Sequence, residues 1–525
     1  MMEMDEMKGR GKRGLLRVVF GRTMFFLLFI ALQLAFFFWI YVWLDNKYQA
    51  WGYGSFALIS AILTIHILNE KQNASFKMAW LIPVLLFPVF GTLFYVFVQL
   101  QMETKIFAKR IAEVQKRTDH FLEQDTAVYE RLSRRSRRNA NLSHYMKKSG
   151  GYPTWDRTNF KYFPLGDEFY TDVLQELQKA RRYIFVEYFI ISKGILWDSI
   201  LKILEQKAKE GVEVRILYDG MNSFSNLPHD YPKELEAKGI RCRIFNPIRP
   251  AISTSQNNRD HRKILVIDGH TAFTGGVNLA DEYINRKVRF GHWKDNAVRL
   301  KGEAVKSFTV MFLQMWSVCA FRPEYDFDYG PFLDTGDHFH SPALNMDGYS
   351  IPFSDSPLDG EPVGHQVYLD ILYQARRYVY IMTPYLILDD DMVTALTYAA
   401  KRGVDTVIVM PHIPDKKYAF MLAHSYYPEL MEAGVKIYEY LPGFIHSKTF
   451  VSDDEKAVVG SINMDFRSQY LNFECAVYIY KNPVIGDIRA DFDETLKKCV
   501  RMSMESYESL PLMHRFWGRT LRLIA

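Results

Sequence analysis

The stretch NRDHRKILVIDGHTAFTGGVN, near the middle of the chain, returns late in it as GFIHSKTFVSDDEKAVVGSIN. Each holds a His, a Lys two residues on, and an Asp five residues after the Lys. The recurrence reaches well beyond these stretches. QKARRYIFVEYFI (178–190) matches YQARRYVYIMTPYL (373–386), and KAKEGVEVRILYD (207–219) matches YAAKRGVDTVIVMP (398–411). ELEAKGIRCRIF (234–245) matches ELMEAGVKIYEY (429–440) in turn. A chain written twice in this way folds as two like units, and periodicity says of what kind. TDVLQELQKA puts Val173, Leu174 and Leu177 on one helical side, and YIFVEYFII is β-branched and aromatic. WDSILKILEQKAKEG reads as a helix stopped by Gly211, and VEVRILYD as a strand. Such alternation predicts a layered α/β domain, made twice.

The repeated His and Lys have a direction. If HRKILVIDG is a strand, side chains alternate faces, so His261 and Lys263 share one face and Asp268 lies on the other. His446, Lys448 and Asp453 repeat that parity. The catalytic candidates are therefore His261, Lys263, Asp268, His446, Lys448 and Asp453. Within that set each Asp is expected to serve the turn or scaffold, because DG reads as a two-residue hairpin turn. An ammonium beside an imidazole keeps the imidazole neutral and nucleophilic, and a bound phosphate relieves the repulsion. Two copies facing each other across a pseudo-twofold would set two His and two Lys around one phosphate. One His can attack phosphorus while the other moves the proton of the leaving and incoming oxygens. Both Lys can stabilise the phosphoryl charge. Gly276 and Ser461 are small enough for a phosphate to approach the backbone. Asn278 and Asn463 follow at equal spacing as amide donors. An acid should orient each His through its second ring nitrogen, with Asp295 and Glu474 as candidates. Four scattered Cys show no CxxC spacing, and HFH at 338–340 stands without partners. Neither a metal nor a cofactor is expected.

The two motifs, H-x-K-x4-D-x6-G-[GS] with Asn278 and Asn463 in register, resemble the phospholipase D superfamily over roughly 151–500. Together with AWLIPVLLFPVFGTLFYVF, NNRDHRK and GGVNLADEY, the chain is similar to the bacterial cardiolipin synthases of that superfamily. That resemblance implies two phospholipase D-type α/β sandwich domains forming one catalytic unit. It implies phosphatidylglycerol as both donor and acceptor, with His261 as nucleophile and His446 as acid and base. The opposite assignment of the two His stays open. It also implies that an acid downstream of each motif contacts a catalytic His. A hydrolase, a phosphatidylserine synthase or a membrane-tethered nuclease would use the same residues. The apolar N-terminus and the modest net charge of +5 argue against nucleic acid as a partner.

That N-terminus carries its own expectations. After a basic segment (1–22), Thr23–Leu44 has no charge at all. At about 1.5 Å per residue it is long enough for a hydrocarbon core of about 30 Å. Two further apolar runs follow, a short one at 55–68 and a Pro-interrupted one at 79–98. Basic clusters on both sides of the block predict an even number of crossings, so one run, 55–68 or 79–98, is expected to be re-entrant or half-inserted. The expectation is an α-helical transmembrane and hydrophobic-hairpin region (23–100) in a multi-pass protein of a bacterial cell membrane, the hairpin being what the resemblance implies for AWLIPVLLFPVFGTLFYVF. A basic linker (101–150) would follow, its residues 105–117 either an amphipathic helix on anionic lipid or a plain connecting helix. Then come a first domain (151–325), a linker (326–360), a second domain (361–500) and a tail (501–525). That tail is placed either on the membrane surface or against the domain.

Overall fold

The computed structural model describes residues 31, 33–39, 41–42, 46–70, 74–99, 102–222, 226–247, 257–320, 322–334 and 347–522. They form two compact units, dividing at Met102.

The larger unit is built on two mixed sheets of the same design. In the first, β1 (Thr158–Phe163), β2 (Tyr183–Tyr188), β3 (Glu213–Asp219), β4 (Arg241–Phe245), β5 (Lys263–Ile267), β6 (Thr271–Gly275) and β7 (Ala297–Gly302) lie in the order β1-β7-β6-β5-β2-β3-β4. The second contains β8 (Tyr349–Asp355), β9 (Tyr378–Met382), β10 (Asp405–Pro411), β11 (Lys436–Tyr440), β12 (Thr449–Ser452), β13 (Lys456–Gly460), β14 (Asn472–Tyr480) and β15 (Cys499–Arg501). Their order, β8-β14-β13-β12-β9-β10-β11, repeats the first, with β15 added at the edge. In each sheet three strands run parallel, joined by helices, and the rest pair antiparallel. The apolar runs YIFVEY and YVYIM are buried along their whole length, as central strands covered on both faces must be.

The helix Val305–Val318 is buried on nearly every side and packs on strands of both sheets. It joins the two halves in one apolar core. The repeat therefore does not make two separable domains. The second sheet also begins earlier than expected, since its edge strand β8 lies within the stretch read as a linker (326–360). The segment read as a basic linker (101–150) is likewise structured. It forms the helices Met102–Thr118, Thr126–Arg135 and Arg137–Gly150. Their apolar sides, with Val114, Leu122, Val128, Leu132 and Met146, are buried in that same core. The Phe107 ring lies 5.7 Å from that of Phe245. The amphipathic face is thus covered by protein and not by lipid. The tail forms a helix, Leu512–Arg522, that packs on the helix Lys417–His424. Arg522 anchors it through Glu429 at 2.7 Å.

In the smaller unit a long helix, Asn46–Asn69, precedes two short ones, Ala74–Leu86 and Pro88–Gln99. The 79–98 run is not one span. Pro88 has no amide hydrogen to continue the helix and restricts Phe87 before it. The chain folds back there, bringing the Trp80 ring 5.6 Å from Phe94 and 5.4 Å from Tyr95. Each short helix is about 20 Å long, less than a hydrocarbon core of about 30 Å. Among the described residues no helix is long and apolar enough to cross a membrane. Most of the 23–44 run and the basic 1–22 segment lie outside the described residues.

Candidate active site

Two short parallel bridges between the halves build the site. Arg259–Asp260, just before His261, pairs with Asn472–Phe473 at the start of β14. Gly443–Ile445, just before His446, pairs with His292–Lys294. Extending each register by one residue sets His261 opposite Glu474 and His446 opposite Asp295. The backbone closes both bridges, with His261 N–H donating to Phe473 at 2.9 Å and His446 N–H to Lys294 at 2.7 Å. The side chains then meet. Nδ1 of His261 is 2.9 and 2.8 Å from the two oxygens of Glu474. Nδ1 of His446 is 2.6 Å from Oδ2 of Asp295. Each carboxylate thus holds the imidazole of the other half. A carboxylate accepts only, so Nδ1 carries the proton and Nε2 is left outside the pairing.

The lysines complete the site. Nζ of Lys263 donates to the His261 carbonyl and Nζ of Lys448 to the His446 carbonyl. Nζ of Lys448 also stands 2.8 Å from Nδ1 of His446. All four groups are almost wholly buried. Burial lowers the pKa of His261, and the positive charges of Lys263 and Lys448 lower it further against Glu474. Burial, then Lys448, lowers His446 to about 3 against the pull of Asp295, with Lys263 adding to the effect. Each histidine feels the lysine of the other half, as groups around one site must. Burial also lowers Lys263 to about 8 and Lys448 to about 7, although Glu474 and Asp295 oppose this. Burial pushes Glu474 and Asp295 up, but the His and Lys partners outweigh it and both stay ionised. An anion between the two lysines would offset the effect of burial and favour their charged forms.

Asp268 and Asp453 do not reach the imidazoles, so their place among the catalytic candidates is corrected to a scaffold position. Asp268 accepts the backbone N–H groups of Arg181, Arg182 and Tyr183 at 2.8, 2.8 and 2.9 Å. Asp453 does the same for Arg376, Arg377 and Tyr378 at 2.8, 2.8 and 3.0 Å. Each carboxylate binds the ARRY segment of its own repeat, where the neighbouring strand begins. Charge-assisted hydrogen bonds of this kind contribute about 1.5–3 kcal/mol. Asp268→Asn is expected to lower the melting temperature while turnover per folded molecule is kept. Denaturation and specific activity measured together check this, and lost turnover at unchanged stability would contradict it.

The small and amide positions also differ from expectation. A β-carbon at Gly276 would stand 2.0 Å from Oδ1 of Asp295. The glycine makes room for the carboxylate, and not for a phosphate against the backbone. At the equivalent place, Oγ of Ser461 donates to Glu474. Asn278 accepts the Ile190 N–H at 3.1 Å and donates to the Tyr283 hydroxyl at 2.8 Å. One of its N–H bonds remains for an anion. Nδ2 of Asn463 donates to Asp465 at 3.0 Å and to Ser468 at 3.1 Å. It reaches an anion only after surrendering one of them.

The aromatic frame of the site carries no signal in the motif spacing. The Phe189 ring lies 4.9 Å from that of His261. Tyr283, Trp293 and Phe444 lie 5.3, 5.6 and 5.8 Å from His446.

Comparison with known proteins places this geometry. The family profile described as cardiolipin synthase, PLD-like domain, matches residues 173–316 and 368–496. One described as phospholipase D-nuclease N-terminal matches 58–99. The chain is 33% identical to a cardiolipin synthase of Alkalihalophilus pseudofirmus, covering 91% of this chain and 94% of that one. It is 34% identical to cardiolipin synthase 2 of Bacillus cereus, covering 90% of each. The solved phosphatidylserine synthase of Haemophilus influenzae shares the fold, with a TM-score of 0.54 at 12% identity over 73% of this chain and 100% of that one. With both family segments matched and both motifs meeting in one site, the chain belongs to the phospholipase D-like cardiolipin synthase family.

Proposed function

We propose that this chain is a phosphatidyltransferase that joins two phosphatidylglycerol molecules into cardiolipin and releases glycerol. The observation that carries the reading is the reciprocal pairing of His261 with Glu474 and His446 with Asp295. It leaves two Nε2 atoms for one phosphodiester. Nε2 of His261 attacks phosphorus, and the bond from phosphorus to the glycerol oxygen breaks. His446, whose Nε2 gains a proton once the bound phosphodiester offsets the charges of Lys448 and Lys263, gives that oxygen its proton. The terminal hydroxyl of a second phosphatidylglycerol then passes its proton to His446 and attacks phosphorus. The bond to His261 breaks, and cardiolipin leaves. Lys263 and Lys448 hold the phosphoryl oxygens through both steps, and the remaining N–H of Asn278 adds a donor.

The same reading sets the enzyme in a bacterial cell membrane, its N-terminal segments in lipid. Support comes from the apolar side chains that the smaller unit exposes, among them Leu58, Ile62, Ile65, Leu85, Leu86 and Leu93. So broad an apolar surface is unusual in water. The C-terminal helix exposes Leu512, Met513, Phe516 and Trp517 on the side away from the domain, a face suited to the lipid surface.

Purified protein incubated with phosphatidylglycerol is expected to yield cardiolipin and glycerol in equal amounts, read by lipid mass spectrometry and a glycerol assay. Phosphatidic acid without cardiolipin would make the chain a hydrolase and sink the proposal.

A further inference from the structure

Away from the paired histidines, the second half gathers three more ligand-type side chains. His365 stands in the first turn of the helix Val363–Gln374. Asp389 is the N-cap of the helix Asp390–Lys401, and Asp391 lies in that helix's first turn. One ligand atom from each lies within 4.8 Å of the others. Carboxylates at a helix N-terminus are ordinary, since the dipole favours them. Asp389 already accepts the Met392 N–H at 2.9 Å and the Tyr470 hydroxyl.

The histidine is not ordinary. It is 2% exposed. Its Nδ1 lies 2.9 Å from Oε1 of Gln469. With that carbonyl oxygen as acceptor Nδ1 carries the proton, and in the neutral ring Nε2 then keeps a bare lone pair. That lone pair makes no hydrogen bond. It faces Oδ2 of Asp389 at 3.6 Å, too far for one. Two buried electron-rich atoms facing each other repel, and an unpaired buried polar atom is destabilising. A cation between them reverses both effects. A carbonyl on the far nitrogen is also how ligating histidines are commonly held.

We propose that His365, Asp389 and Asp391 bind a divalent transition-metal ion. One imidazole and two carboxylates suit zinc or manganese. The exposed Asp391 closes the site on the solvent side, where water completes the coordination. Gln469 and Tyr470, which hold His365 and Asp389, belong to the short helix Phe466–Tyr470. That helix lies between Asn463 and Glu474, so the ion clips the exit of the second motif to two helices of the scaffold. It takes no part in phosphoryl transfer.

Full-length protein in detergent, first stripped with a chelator, is titrated with zinc chloride and manganese chloride by calorimetry, with melting followed in parallel. The expected result is one ion per chain with a rise in melting temperature, both lost in Asp391→Asn and His365→Gln. Asp391 is exposed, so its variant keeps the fold. Cobalt(II) should show ligand-field absorption bands in the wild type that disappear in His365→Gln. Absence of an ion-dependent shift in the wild type, or equal binding by both variants, overturns the site.

Discussion

Replacing His261 or His446 with alanine is expected to lower cardiolipin formation by at least about 10³-fold, roughly 4 kcal/mol of lost transition-state stabilisation. The two variants should fail at different steps. With a nitrophenyl ester of phosphatidic acid, the leaving phenolate needs no proton. His446→Ala should then release one equivalent of nitrophenolate and stall, with the phosphatidyl group on His261. His261→Ala should release none. A burst and a labelled His446 in the His261 variant would exchange the two roles. Wild-type turnover by either variant would end the two-histidine mechanism. Circular dichroism and melting of both variants separate lost chemistry from lost fold, since both imidazoles are buried.

Gly276→Ala is expected to cost about 10²-fold in turnover, although residue 276 touches no reacting atom. The added β-carbon would meet Oδ1 of Asp295 at 2.0 Å and Cγ at 2.9 Å. Asp295 is fully buried and its Oδ1 also accepts the Asn296 N–H at 2.9 Å, so it yields only by leaving His446. A misplacement of about 1 Å in a catalytic group has an effect of this size. Ser461→Gly, at the equivalent position, should be milder, since Glu474 keeps its contacts with His261 and with Asn472 at 3.2 Å. The measurement is kcat against KM for both variants. A normal kcat in Gly276→Ala would show that Asp295 does not position His446.

The difference between these positions follows from register. Gly275 pairs with Ala297 and Gly460 with Ala476. Asp295 and Glu474 each lie two residues before that partner, so they are equivalent residues. The shorter acid goes with glycine beneath it, and the longer with a serine that donates to it.

Much of this was legible in local periodicity. Alternation along HRKILVID put Asp268 on the face away from His261, and the hydrogen bonds of Asp268 to Arg181, Arg182 and Tyr183 agree. The repeated ARRY was visible too, but its link to the motif Asp was not, because a hydrogen bond across about 85 residues leaves no periodic trace. The linker reading of 101–150 went astray for another reason. Its charges are conspicuous, whereas the buried Val114, Leu122 and Met146 are sparse, and helical spacing does not say whether lipid or protein covers a face. The run at 79–98 had the composition of a span, yet Pro88 and the packing of Trp80 on Phe94 and Tyr95 made it a hairpin.

By itself the sequence determined that the chain is duplicated, that each copy is α/β, and that each copy carries one His–Lys pair at the same spacing. These follow from spacing, which strand and helix geometry translate directly into faces. Only the tertiary structure decided which acid serves which histidine. His261 and Glu474 are 213 residues apart, and His446 and Asp295 are 151 apart. Both pairs depend on parallel bridges between the two halves, and no rule of local spacing reaches across an interface.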